Sequence, residues 1–572
     1  MKTNCTIVPG PQRLTMDHPS STRMEIRQRF CEVSPVRWLL LVSVWLLIGG
    51  CHDDFLDRPP EDTITLDNFY TTDDQVRAAS IILYGKPWFD FNNKASWIIG
   101  DAMAGNHWTN DRELGAQFFV FGVNGDNERL SEAWSSLWGV VSSANAVMTN
   151  VPQRSTADVS PDAIKQVVAE ARFMRAAAYF YLVRLWGPVP IIENNDRQID
   201  RPLVPRHRIE DVYQFIIRDL VEAAQCLPIS YPASYPSLEA GRITAWSAKA
   251  MLAKVYLTRA GVGDDQQGGS RRPADLDSAR VLAHEIITQS GLSLVPNYQD
   301  LFQVAYENNE ESLFAFQWTS CQEWGTQNTH QAYFAPDGAI AGVGDGWGGY
   351  NGPTIDLQNA YEEGDLRKDV TIMTNGTYYP QLIQRSGGYT YVVDPNDEDG
   401  ENATFAAVKK YVIGSAGDNQ VPVCFMSTPL NTYVQRLADV YLIYAEAILG
   451  NQARTSDADA LDAINRIRTR AGLSPLASFT LDDVLHERRV EFAYEADYWY
   501  DIVRMHYFNP SKAIQMISEQ ERGIRIFGAE GEWVVSSQHF VPTQEDFTLP
   551  YPSGEVEQNP KLREDPVKYD FR

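Results

Sequence analysis

Residues 160–187, SPDAIKQVVAEARFMRAAAYFYLVRLWG, spell out both ends of a helix, and the pattern recurs along the chain. Ser160 can cap, Pro161 suits a first turn that does not need its N–H, and Gly187-Pro188 stop the run. Between them Ile164, Val167, Val168, Ala171, Met174, Ala178, Leu182 and Leu185 fall on one stripe. Similar amphipathic stretches occupy 209–226, 242–260, 275–290, 432–449, 457–471 and 481–504, so a mainly α chain is predicted. Ala245, Ala248, Ala250 and Ala253, and again Ala438, Ala445 and Ala447, are small residues that let two helices approach. Tetratricopeptide-like hairpins need this, although the strict repeat consensus is absent and a generic bundle is the other reading.

Between about 300 and 430 the character changes to Gly, Asn, Pro and aromatics, with short alternating runs such as Thr390-Tyr391-Val392-Val393. This reads as long loops with a few strands on a helical scaffold, and loops of that length are usually functional. The 572 residues are 44% hydrophobic and 22% charged, which excludes disorder as a description of the whole. A formal net charge of −26 repels phosphate backbones, so nucleic acid is not an expected partner.

The N-terminus carries an address. WLLLVSVWLLIGG, from Trp38 to Gly50, follows Arg23, Arg27, Arg29 and Arg37 and is too short to span a bilayer, which needs about 20 apolar residues. Basic segment, apolar core and small-residue end make an export signal over residues 1–50, with Met24 as an alternative start. Ile48-Gly49-Gly50-Cys51 resembles the lipobox of bacterial lipoproteins, which implies acylation of Cys51 and firm anchoring by two or three acyl chains. An ordinary cleaved signal with a chance cysteine is the alternative. Beyond it only Cys226, Cys321 and Cys424 remain, an odd number that reads as buried free thiols, and no Cys/His cluster has zinc-ligand spacing.

Several segments can be compared together: Phe55-Leu56-Asp57 with Pro59, WSSLWGVVSSANAVM (134–148), EARFMRAAAYFYLVRLWGPVPII (170–192) and GRITAWSAKAMLAKVYLTRAG (241–261). Asp365-Leu366-Arg367 after Tyr361, QRLADVYLIYAEAILG (435–450), ALDAINRIRTRAGL (460–473), HERRVEFAYEADYWYDIVRM (486–505) and LPYPSGEVEQNPKL (549–562) follow. In order and wording the chain resembles the SusD/RagB family of Bacteroidetes outer-membrane lipoproteins. The resemblance implies a SusD-like α-α superhelix, with tetratricopeptide-like hairpins packed against a loop-rich region with a few short strands. It divides the mature chain into a helical part, 51–300, and a part with ligand loops and final helices, 301–572. It further implies a lipid-anchored, exterior-facing binder of oligosaccharide that sits as a lid on a SusC-like TonB-dependent transporter, without cofactor or metal.

A glycan site needs flat aromatic faces against sugar C–H groups and polar side chains for the hydroxyls. Two loops supply both. In WIIGDAMAGNHWTN (97–110) the candidates are Asp101, Asn106, His107 and Trp108; Trp97, beside Ile98-Ile99, is expected in the core, and Trp108 reads equally as platform or packing. In 317–352 they are Trp324, Tyr333, Trp347 and Tyr350, with Trp324 and Tyr333 the freer pair and Trp347 equally able to anchor its loop.

Other patterns fail as sites. GDGWGG (344–349) matches a dinucleotide fingerprint but lacks the flanking strand and helix. DPNDEDGE (394–401) misses the spacing of a calcium loop and reads as a solvated acidic turn. Glu487, Arg488, Arg489, Glu491, Glu495, Asp497, Asp501 and Arg504 read as opposite charges bracing a helix at i, i+4 rather than as a catalytic pair. With no hydrolase motif present, capture without bond cleavage is expected. A protein-interaction scaffold with little ligand affinity, a binder of peptides, and a helical glycoside hydrolase are the alternatives.

Overall fold

The computed structural model describes residues 69–109, 114–231, 240–263, 269–393, 403–528, 530 and 532–571, all in the unit Leu66–Arg572. The export signal, Cys51 and the acidic DPNDEDGE segment lie outside the described residues. Nine longer helices frame the described part: α1 Glu128–Arg154, α2 Pro161–Trp186, α3 Ile209–Cys226, α4 Ala245–Arg259, α5 Pro273–Gln289, α6 Leu437–Leu449, α7 Ala458–Arg470, α8 Leu481–Phe492 and α9 Tyr498–Phe508. Each helix from α1 to α7 packs on the next, the pattern of a stacked helical repeat.

Local chemistry sets the ends. The Ser160 hydroxyl accepts the N–H of Ala163 at the start of α2, and Thr244 forms a reciprocal capping box with Ser247 at the start of α4. Ala250, Ala253, Ala438 and Ala445 are fully buried where α4, α5 and α6 meet, as their spacing predicts, and Ala248 is buried in the main core on the other side of α4.

Two segments depart from a continuous-helix expectation. Residues Thr432–Arg436 form a strand, β4, paired antiparallel with β2, Ser312–Phe316. The β-branched and aromatic run Thr432-Tyr433-Val434 suits that edge, so α6 starts only at Leu437. The stretch 481–504 breaks between α8 and α9, where Tyr494 and Ala496 adopt positive φ of 65° and 58°. That turn presses against Gly100, where a Cβ would lie 2.4 Å from the Ala496 carbonyl oxygen.

The charge-dense segment is structural, and apart from the within-helix pair Arg504–Asp501 at 2.8 Å its partners come largely from other elements. Arg436 donates to Glu311 at 2.8 Å, Glu491 at 2.6 Å and Glu495 at 2.8 Å, while Arg367 holds Asp365 at 2.7 Å and Glu491 at 3.0 Å. Arg488 joins Asp439, Asp497 and Asp501 at 2.6, 2.9 and 2.8 Å. The side chains of Arg488, Glu487 and Glu491 point into the interior, so only cross-element pairs can compensate their charges. Burial pushes the Glu491 carboxyl up, yet Arg470, Arg436 and Arg367 outweigh it and hold it well below the carboxylate range.

The free-thiol expectation is corrected. Cys321 and Cys424 form a disulfide, and Cys226 remains a half-buried thiol.

Candidate functional site

Residues 86–103 wind through short 3₁₀ and π turns, Lys86–Trp88, Phe91–Ala95 and Ile98–Met103. Trp88, Phe89, Phe91, Trp97, Ile98 and Ile99 face the core, Trp97 as expected, and Lys86, Asp90, Asn93 and Lys94 face outward at helical spacing. The outward row meets the 317–352 loop. Lys86 pairs closely with Glu323, and Phe89 meets the Trp324 ring edge-on at 5.2 Å between centroids. The Asn93 carboxamide oxygen accepts from Thr329 Oγ1 at 2.8 Å and Tyr333 Oη at 3.3 Å, while Lys94 Nζ lies 5.0 Å from the Tyr333 ring centre.

A short ladder continues this surface. β1, His107–Thr109, pairs antiparallel with β3, Asn351–Pro353, and sets Trp108 opposite Gly352. Alternation buries His107 and Thr109 and leaves Trp108 half-exposed. The Asn351 amide donates to the carbonyls of Tyr333 at 3.1 Å and Trp347 at 3.3 Å, which fixes the loop. Trp347, half-buried, stands between Tyr333 at 5.7 Å and Phe425 at 5.8 Å between ring centres. Trp324 is 56% exposed, Phe425 55% and Tyr350 49%. Tyr333 is largely covered, so it is not the free ring its loop position suggests.

The structure moves three expected contact residues inside. Asp101, Asn106 and His107 are fully buried. The Asp101 carboxylate accepts from the backbone N–H groups of Tyr494 at 3.0 Å and Ala496 at 3.2 Å and from Asn106 Nδ2 at 3.1 Å. Burial still pushes its pKa up to about 6. His107 is wedged among Trp97, Phe334 and Tyr494, its Nδ1 3.3 Å from the Tyr494 hydroxyl, and burial drives its pKa down to about 3. Arg489 donates to the Asn106 side-chain oxygen at 2.8 Å. Direct ligand contact by these three therefore gives way to a supporting role: they clamp the break after α8 beneath the strand that carries Trp108.

Phe425, Asn93 and Lys94 join the surface although no sequence signal marked them. The exposure of Phe425 follows from the turn between Cys424 and Ser427, whose backbones bridge at 3.0 and 2.9 Å. Cys321 sits in the turn before Trp324, and its backbone N–H donates to Ser427 Oγ at 2.9 Å. One disulfide thus ties the loop that presents Trp324 to the loop that presents Phe425.

The result is an open face of aromatic rings edged by amide, ammonium and carboxylate groups. Such a face can stack on apolar ring faces and bond to hydroxyls.

Comparison with known proteins agrees with this architecture. Residues 296–567 match the profile of the SusD family, and residues 55–257 match a profile described as "Starch-binding associating with outer membrane". A SusD-like protein of Bacteroides ovatus is 40% identical over 558 residues, covering 93% of this chain and 98% of that protein. A crystal structure with xylogluco-oligosaccharide superposes with a TM-score of 0.79 at 39% identity, covering 87% of this chain and 99% of the other. A laminarin-binding SusD-like protein superposes with a TM-score of 0.65 at 25% identity, covering 86% and 98%. The chain belongs to the SusD family.

Proposed function

We propose that the chain is a non-enzymatic glycan-binding protein of the outer surface, which captures an oligosaccharide on the aromatic face. The observation that carries this reading is the string of rings Trp324, Tyr333, Trp347, Phe425 and Tyr350, with Trp108 on the neighbouring strand, built on a rigid helical body. Trp324, Phe425 and Tyr350 offer open ring surface; Trp108 and Trp347 offer part of theirs; Tyr333 supports Trp347. Asn93, Lys94, Asp90 and the Lys86–Glu323 pair stand within the same surface to meet hydroxyl groups.

The similar structures with xylogluco-oligosaccharide and with laminarin binding support a β-linked glucan as ligand. The lipobox-like Ile48-Gly49-Gly50-Cys51 and the outer-membrane description of the matched profile support acyl anchoring through Cys51. Delivery to a SusC-like TonB-dependent transporter completes the reading, with the helical array serving as the rigid body that closes over it.

Titration of xylogluco-oligosaccharide and laminari-oligosaccharide into the mature protein, followed by mass analysis of the recovered sugar, tests the reading. Saturable binding with unaltered sugar is expected. Absence of binding by both, or release of reducing ends, overturns it.

A further inference from the structure

A second concavity shares no residue with the aromatic face. Its first wall is one stripe of α1, with Trp134, Trp138 and Val141 at helical spacing. Its second is the loop 190–204, and its third the C-terminal pair Ser553–Gln558 and Pro560–Arg563. The cleft holds about 370 Å³, within the roughly 300–1,000 Å³ usual for small-molecule sites.

Hydrogen bonds pin the walls together. Asn145 Nδ2 donates to the Ile192 carbonyl at 3.0 Å and to Asn195 Oδ1 at 3.2 Å, and Asn195 Nδ2 returns a bond to the Ser142 carbonyl at 2.9 Å. Asn559 Nδ2 donates to the Val204 carbonyl at 2.7 Å. Tyr179 and Trp134 hold the Trp138 ring at 5.7 and 5.6 Å between centroids. The site is therefore preformed, and a ligand need not order it.

Polar groups of the lining are open to the cleft. Ser135 and Ser142 are exposed on the α1 wall beside the Trp138 ring. The exposed carboxamides of Gln198 and Gln558 add two more donor–acceptor groups. Among the described lining residues there is no lysine, arginine or histidine, and the acid present is Glu555. Phosphate, sulfate and uronate have no counter-charge here. A neutral ring with both hydroxyl donors and acceptors, and an apolar face for tryptophan and proline, matches these groups.

We propose that this cleft is a second saccharide site, which takes one or two neutral pyranose rings independently of the aromatic face. The test uses the mature chain carrying Trp324→Ala and Trp347→Ala, titrated with cellobiose, maltose and lactose at millimolar concentration. At least one disaccharide is expected to bind at one site per chain. Its affinity should fall fivefold or more on adding Trp138→Ala, which removes the ring that lines the cleft, and also on adding the solvent-exposed change Gln558→Ala. Density for the disaccharide in the cleft of a soaked crystal would support the same assignment. If the double variant binds none of the three, or binds one with unchanged affinity after both further substitutions, the proposal is overturned. Retention of oligosaccharide binding by the unmodified protein in that case would leave the aromatic-face reading standing.

Discussion

Cys321 and Cys424, 103 residues apart in sequence, meet with their Cα atoms 5.5 Å apart in a disulfide that joins the turn before Trp324 to the turn that begins with Phe425. The two turns also share the Asn328–Thr428 bridge and the bond from Ser320 Oγ to the Pro422 carbonyl. An aromatic face built from separate loops binds best when its rings are fixed beforehand, because ordering them on binding opposes association. Cys321→Ser with Cys424→Ser is expected to weaken xylogluco-oligosaccharide binding several-fold while far-ultraviolet dichroism stays unchanged. Closing so long a loop stabilises by about 2–4 kcal/mol, so a lower melting temperature should accompany it. Unchanged affinity would show that the loops are held by their hydrogen bonds alone.

Trp324 projects from its turn, 56% exposed, with Phe89 edge-on against its ring. Trp324→Ala is expected to weaken oligosaccharide binding about tenfold, the scale of one well-placed aromatic contact, with little change in thermal stability. Phe425→Ala should act in the same direction. Asp101→Ala should do the reverse: its carboxylate holds the turn at Tyr494 and Ala496, so stability falls more than affinity. Calorimetric titration and a melting curve on each variant separate the two effects.

The helices were largely legible in the sequence because each writes its stripe and its caps locally: Ser160, Pro161 and Gly187 bound α2 where they were expected. The start of α6 was not, since Thr432–Arg436 turns to strand only through its partner Ser312–Phe316, more than a hundred residues away. The site divides in the same way. Tryptophans among glycines marked the 317–352 loop, but composition cannot show which residues a loop turns inward. Asp101, Asn106 and His107 carry the chemistry of a polar contact and serve instead to clamp the chain after α8. The odd cysteine count after Cys51 concealed the Cys321–Cys424 pair, because pairing depends on two turns meeting in space.

Two buried imidazoles make folding sensitive to acid. Burial lowers the pKa of His107 from 6.5 to about 3 and that of His330 to about 4, the latter despite the bond between its Nε2 and the Asn92 carbonyl at 2.8 Å. Below pH 6.5 the unfolded chain binds protons that the folded chain refuses, so stability falls with pH until the folded groups titrate. Asp101, raised to about 6, acts in the opposite sense, with stability lost as pH rises from its ordinary value toward 6. Between pH 6.5 and 4.5 the melting temperature of His107→Gln is expected to fall less steeply than that of the unmodified protein. An equal slope would contradict burial of a neutral His107.

Arg436 is buried among three carboxylates, Glu311, Glu491 and Glu495. Arg436→Met removes the cation and leaves their charges together in the interior, for which a loss of about 3–5 kcal/mol is expected. Urea unfolding measures it. Retention of full stability would mean that Arg367, Arg470 and Lys410 suffice to compensate the cluster.

The most direct test is equilibrium binding of xylogluco-oligosaccharide to the purified mature protein, compared side by side with the Trp324→Ala, Phe425→Ala double variant at equal folding stability. Saturable binding that drops tenfold or more in the variant, with the sugar recovered intact, is the expected result. Equal binding by both proteins, or shortened sugar after incubation, would contradict capture on the aromatic face.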